Sequence, residues 1–512
     1  MRRYVMVGGF LAAAFWTAAA HPQEAAHSQE TAGGDWRADV EAFARRLVDA
    51  GLTPGMGIAV ARGDSVAYVR GFGVADVESG RAVDEETAFY IASSTKALTG
   101  TAVALLAHRG ELDLEAPVSR YIPAVAFEAP VDAESVTIEG LLTMTEGVED
   151  GGPVVFRTAY TGDFTPDQLV ELLAGYGPSE SGHSFSYGNL PYNILGLVLD
   201  PDDGHGWKEV VRREVLDPLD MEDTSARTSD FEADEIALPH SIVPGEGWRP
   251  VALGKADANM HAAGGHFASA RDLARFVAAH ASGGLLDGER IFPAEAFRAA
   301  HEVQAEQDRE FGPFHRFGWG YGWDLGTYEE KTIVHRFGSF PGYRSHMSFM
   351  PDHGIGVVVL VNGGGPASPA ADLMATYIYD RLIGRSDLEE EYARRLADLE
   401  GRAAEGAREL ADHLAERRVR QSPLPHPLEA YAGTYENREL GRMEWRVAGE
   451  SLEAEIGVAR SIAEVFDAAE DQLRVELTGG GEVIDFEFPA GAGRGPASSL
   501  RYNDYEFVRV ER

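Results

Sequence analysis

At 512 residues, with 44% hydrophobic and 10% aromatic side chains, the chain is longer than one ordinary core holds and is composed like a folded protein, so two folded domains are expected. A formal charge of -38 disfavours nucleic acid and anionic lipid as partners and favours solubility. The absence of cysteine excludes disulfides, thiol nucleophiles and Cys-based zinc sites.

Met1-Arg2-Arg3, an apolar run from Tyr4 to Trp16 and the small residues up to Ala20 read as a secretory signal over residues 1–20. Cleavage is expected after Ala20 and localisation as periplasmic or secreted, an uncleaved anchor being the alternative. His21 to Gly34 is small and polar, a flexible lead-in. Asp35 to Ala50 has helical spacing, and the alternating residues on either side of Gly63-Asp64 read as a β-hairpin. Ala97 to His108 places Leu98, Ala102, Leu105 and Leu106 on one helical face and stops at Arg109-Gly110.

From about 110 to 330, short helical patterns alternate with Gly/Pro loops, among them Ile138 to Met144, Pro166 to Ala174, Trp207 to Val215 and Ala270 to His280. Arg344 to Met350 and Ile355 to Val361 form a second hairpin. Early and late strands around a helical middle imply an α+β fold: one antiparallel sheet closed by both ends of the chain, flanked by helices, with a helical subdomain inserted. The charged helical run Leu388 to Val419 and the prolines of Ser422 to Pro427 read as a linker over residues 385–427. Short alternating segments from Leu428 onward predict a small antiparallel β domain, barrel-like, over 428–512.

Chemistry concentrates first at Ser93-Ser94-Thr95-Lys96. A hydroxyl and an amine three apart at a helix start share one face, and positive surroundings with burial favour a neutral, basic lysine beside a serine nucleophile. The alternative is a capping serine with a solvated first-turn lysine, although lysine opposes the macrodipole there. The chain has four lysines, Lys96, Lys208, Lys255 and Lys331, and this is its only Ser-x-x-Lys pair.

Tyr187-Gly188-Asn189 puts a phenol and an amide on one side of a turn, where a nearby cation would make the phenol a proton relay; Tyr435-Glu436-Asn437 satisfies the same pattern. In His335-Arg336-Phe337-Gly338-Ser339 a cation on a strand could hold a substrate carboxylate while a backbone N–H approaches the reacting carbonyl. His335 and Arg336 compete for that role, and strand alternation lets only one face the cleft. The residues alone leave the choice between them open. His261, His266, His335 and His346 lack metal-ligand spacing, and neither metal nor cofactor is expected. The run Gly318 to Trp323 lacks the strand-to-helix context of a phosphate cradle; its aromatics among glycines suit packing beneath a cleft.

Taken in order, these pieces resemble the serine β-lactamase and penicillin-binding protein superfamily, in the branch of class C β-lactamases, D-alanyl-D-alanine carboxypeptidases, D-aminopeptidases and related esterases. Ser93 to Lys96 is similar to its Ser-x-x-Lys motif, Tyr187 to Asn189 to its Tyr-x-Asn, and Arg336 to Gly338 to its third motif, over about Trp36 to Leu382. The sequence departs from the family at Met144-Thr145-Glu146-Gly147, where relatives carry His-Thr-Ser-Gly. The tail around Tyr431 to Tyr435 resembles a lipocalin-like domain appended in some members.

The resemblance makes residues 35–384 a serine hydrolase domain. It implies an acyl-enzyme on Ser93, with Lys96 and Tyr187 handling protons, Asn189, Arg336, Gly338 and Ser339 binding substrate, and the N–H groups of Ser93 and Ser339 as the oxyanion hole. The substrate would be a small molecule or peptide carrying an amide, lactam or ester. The alternative function is a binding or sensor protein on the same fold that does not turn over.

Overall fold

The computed structural model describes residues 35–200, 206–251, 253–420, 423–489 and 495–511; the expected signal and lead-in lie outside the described residues. Strand Ile355–Val361 is mostly β-branched and is buried on both faces, Val357 and Val359 in one core and Val358 and Leu360 in the other. It pairs antiparallel with Tyr343–Met350 on one edge and with Gly55–Arg62 on the other. The two ends of the chain therefore meet inside one nine-stranded sheet. On one side of that junction lie Tyr343–Met350, Lys331–Phe340, Asp324–Tyr328, Phe314–Trp319 and Ala305–Phe311, on the other Ser65–Asp76 and Arg81–Ala82.

Helices Trp36–Asp49 and Ala367–Leu382 cover one face of the sheet. The other face carries Ala270–Ala281, Thr95–His108 and the inserted helices. Helix Thr95–His108 is buried on all sides from Thr95 to Leu106, not along one stripe, so it is a central helix whose polar side chains need internal partners.

The reading of 385–427 as a linker is corrected by the packing. Helix Leu388–Val419 begins inside the hydrolase domain, because Leu388, Tyr392, Leu396 and Leu399 bury one stripe in the same core as helix Ala367–Leu382. Tyr392 also donates to buried Asp380 at 2.7 Å. Only the later part of the helix bridges outward, where Arg417 pairs with Glu464 of the C-terminal domain at 2.6 Å.

That domain is a nine-stranded antiparallel sheet from Gly433–Asn437 to Tyr505–Val510, these first and last strands pairing with each other around one apolar core. It rests on the hydrolase domain beside the inserted helices. Arg157 Nε donates to the Glu439 carbonyl at 2.6 Å, the Val458 N–H to the Thr161 carbonyl at 2.8 Å, and Gly479 packs on Pro341 and Leu253.

Candidate active site

The turn Ala92–Ser94, which carries Ser93, enters helix Thr95–His108, and its shape is imposed from outside. Ala92 is held at φ 46°, a left-handed conformation that an alanine keeps only when its surroundings dictate it. Two serines pin the turn: Ser345 Oγ donates to the Ile91 carbonyl at 2.8 Å and lies 2.8 Å from Ser94 Oγ. Strand Lys331–Phe340 presses against the same turn at Gly338, where a Cβ would run into the Ile91 carbonyl. Ser93 remains part-exposed, and Ser339 is exposed in a strand that is buried from Ile333 to Gly338, so both are reachable from solvent.

Lys96 is fully buried. Its Nζ lies 2.7 Å from Asn189 Oδ1, 2.8 Å from the Ala263 carbonyl and 3.4 Å from Ser93 Oγ, and no carboxylate pairs with it among the described residues. Burial lowers its pKa and the nearby Arg336 lowers it further, while Tyr187 opposes the shift. Tyr187 lies with its ring 5.0 Å from Lys96 Nζ and its hydroxyl accepts from Arg336 Nη2 at 2.6 Å. Burial alone would raise the Tyr187 pKa, but the charges of Arg336 and Lys96 outweigh it and hold the phenol below its ordinary range. Both groups are therefore shifted towards giving up a proton.

Arg336 faces this site and His335 the opposite side, as alternation requires. Arg336 donates through Nε to the Ser93 carbonyl at 3.1 Å and through Nη1 to buried Asp324 at 2.7 Å, in addition to Tyr187. His335 is buried between Phe314 and Phe337 with neither nitrogen hydrogen-bonded. The guanidinium is thus held by protein groups on three sides, which turns it from a carboxylate clamp into a partner of Tyr187.

Two of three supports escaped the sequence reading; the third, Trp319, belongs to the glycine-aromatic run expected to pack beneath a cleft. Asp150 Oδ1 accepts the N–H groups of Asn189 and Leu190 at 2.8 and 2.7 Å, capping helix Leu190–Leu199 and fixing the Tyr187 turn. Asp324, fully buried, ties Arg336 to Arg316, and Gln307 holds its other oxygen at 3.1 Å. Trp319 packs edge-on beneath Tyr187 at 5.9 Å. Asp150 lies 39 residues from Asn189, and Asp324 is set against Arg336 by the pairing of two strands, so no local pattern marks either. Tyr435 lies instead in the C-terminal core, donating to the Tyr431 carbonyl at 2.8 Å.

Among the described residues no group of three His, Cys, Asp or Glu could hold a metal. A second chain of hydrogen bonds runs from Asp372 through His346 to Ser348, at 3.0 and 2.8 Å. Ser348 is fully buried and bonded onward to Tyr379, so this triad has no access to substrate and serves packing.

The family model described as Beta-lactamase matches residues 40–379, well over half the chain. The chain belongs to the Beta-lactamase family. Among curated relatives, protein flp of Staphylococcus aureus (strain NCTC 8325 / PS 47) is 22% identical over 331 residues, which is 64% of this chain and 63% of flp. The chain thus spans less than two thirds of that relative's length. Penicillin-binding protein 4 of Amycolatopsis lactamdurans is 28% identical over 306 residues, 59% of this chain and 79% of its own.

Two solved structures share the fold. The octameric penicillin-binding protein homologue of Pyrococcus abyssi aligns over 92% of this chain and 100% of its own, at TM-score 0.56 and 22% identity. The D-amino acid amidase of Ochrobactrum anthropi SV3, complexed with D-phenylalanine, aligns over 69% of this chain and 100% of its own, at TM-score 0.57 and 21% identity.

Proposed function

We propose that this Beta-lactamase family member is a serine hydrolase that works by acyl transfer. The observation that carries the reading is the buried Lys96 amine, 3.4 Å from Ser93 Oγ and with no carboxylate paired to it among the described residues. Ser93 Oγ attacks the carbonyl carbon and its proton passes to the Lys96–Tyr187 pair, whose titration belongs to both groups together. The N–H groups of Ser93 and Ser339 receive the developing oxyanion, at about 3 kcal/mol per donor. Tyr187, held by Arg336, returns the proton to the departing nitrogen or oxygen. Water then takes the place of the leaving group, gives its proton to the same pair and frees Ser93.

Asn189 orients Lys96 and the substrate amide. The substrates proposed are D-amino-acid peptides and simple esters, with β-lactams behind them. The fold is shared with a D-amino acid amidase and the sequence relatives include a penicillin-binding protein, which supports that choice without narrowing it further.

The test is a panel of chromogenic esters, D-alanyl peptides and a cephalosporin, with the Ser93→Ala protein as blank. Turnover of one class by the native chain alone is the expected result. Equal rates from the Ser93→Ala protein, or no turnover of any class, would overturn the proposal.

A further inference from the structure

Residues 336, 338 and 340 alternate onto one face of strand Lys331–Phe340, and each meets a different part of the site. Arg336 meets Tyr187, Gly338 meets the nucleophile turn, and Phe340 meets Tyr90 at 5.1 Å between ring centroids. At about 3.3 Å per residue, Phe340 lies roughly 13 Å along the strand from Arg336, with the Ser93 turn between them. Tyr187 marks the end where the leaving group takes its proton. The acyl part of a substrate runs the other way, towards Phe340.

What waits there is a cation. Lys255 Nζ stands 4.2 Å from the centre of the Phe340 ring and 4.9 Å from that of Tyr90. One of its three N–H donors goes to the Ala159 carbonyl at 2.6 Å. No carboxylate pairs with it among the described residues, in a chain of 83 acidic side chains. Three arginines on strand Lys331–Phe340 and others of its sheet are taken: Arg336 and Arg316 by Asp324, Arg344 by Asp372.

Lys255 is part-exposed, as are Phe340 and its stacking partner Tyr160, and Ser339 beside them is open to the cleft. The Gly479 turn of the C-terminal domain, packed on Pro341 and Leu253, walls the region from outside. Burial with no opposing charge holds the Lys255 pKa down at about 7, the situation that a bound carboxylate would relieve.

We propose that Lys255, on its floor of Tyr90 and Phe340, is an acyl-side subsite that selects acyl groups ending in a carboxylate. The rings suit a short hydrocarbon spacer, and the two remaining N–H donors suit the anion. The direction assigned to the substrate rests on the serine hydrolase reading, so the test separates the two.

The p-nitrophenyl half-ester of glutaric acid and p-nitrophenyl valerate have the same chain length and differ in the terminal carboxylate. Their kcat/KM ratio is measured for the native chain, Lys255→Met and Lys255→Arg. Loss of one charge-assisted hydrogen bond predicts that the glutarate-to-valerate ratio falls about tenfold or more in Lys255→Met, mainly through KM, and that Lys255→Arg restores part of it. An unchanged ratio, including a parallel loss on both esters as for a merely structural lysine, overturns the subsite.

A thermal melt checks that Lys255→Met folds, and Lys255→Gln carries the comparison if it does not. If the native chain cleaves neither ester, the hydrolase reading fails on that count and binding decides the subsite alone. Calorimetric titration of glutarate into Ser93→Ala, with and without Lys255→Met, should show binding that the second substitution abolishes. Equal binding, or none to either protein, overturns it.

Discussion

Replacing Arg336 by methionine separates its two conceivable roles. In the structure its guanidinium donates to the Tyr187 hydroxyl at 2.6 Å, to the Ser93 carbonyl at 3.1 Å and to Asp324 at 2.7 Å. A hydrogen bond to a charged partner is worth about 1.5–3 kcal/mol net. If that bond holds Tyr187 ready to exchange its proton, losing it lowers kcat about 10- to 150-fold.

The pH profile carries the sign. Burial alone pushes the Tyr187 pKa up, and Arg336 is the foremost charge pulling it down. Without Arg336 the phenol rises, so the basic form needed for catalysis becomes scarcer at neutral pH and the ascending limb of kcat moves to higher pH. Asp324 keeps Arg316 and Gln307 as partners, so the fold should survive with a lowered Tm, the stability loss bounded by the about 3–5 kcal/mol of a broken buried pair.

The assay is kcat and KM against pH on a neutral ester and a carboxylate-bearing ester. A limb that stays in place with kcat changed less than about threefold would refute the reasoning, being under about 1 kcal/mol. A KM rise confined to the carboxylate ester would instead restore Arg336 as a clamp.

Tyr187→Phe should lower turnover about 100-fold or more, the usual worth of a proton-transfer group, while Tyr435→Phe should leave turnover alone and lower Tm through its lost bond to the Tyr431 carbonyl; equal effects in kinetics and melts would show that the wrong Tyr-x-Asn was chosen. A chain ended after Gly384 loses Leu388, Tyr392, Leu396 and Leu399 from the core, each worth about 2–5 kcal/mol, and should be insoluble or melt far earlier than one ended after Ala411; equal melting of the two would contradict the packing. Glu146 is buried with Oε2 unpartnered and its pKa is raised to about 8 by burial, with the charge of Asp150 adding to it. The folded state then keeps a proton that the unfolded chain releases above about pH 4.5, so native stability should fall as pH climbs from there to about 8, and Glu146→Gln should flatten that fall in melts run across the range.

The legible parts were those written in local spacing. Ser93 and Lys96 are about one helical turn apart, and the unbroken apolar run of Ile355 to Val361 marks a strand buried on both faces. Helix Leu388–Val419 was also visible as a helix, but its sparse apolar stripe among many charges concealed that the first turns join the core. Parity along a strand lets only one of His335 and Arg336 face the cleft and the match to the family's third motif selects Arg336, yet the commitment of Arg336 to Asp324 depends on how one strand pairs with the next. The left-handed Ala92, the cap from Asp150 and the placing of Lys255 over Tyr90 and Phe340 join segments tens to hundreds of residues apart. Local pattern carries no trace of such meetings, which the close packing of the finished fold brings about.

The most direct measurement is intact-protein mass spectrometry after a fluorophosphonate, with peptide mapping of the adduct. The account predicts a single adduct on Ser93 in the native chain, none in Ser93→Ala, and labelling slowed by orders of magnitude in Lys96→Ala while its melt stays cooperative. Full labelling of Ser93→Ala, or a folded native chain that takes no label, would contradict it.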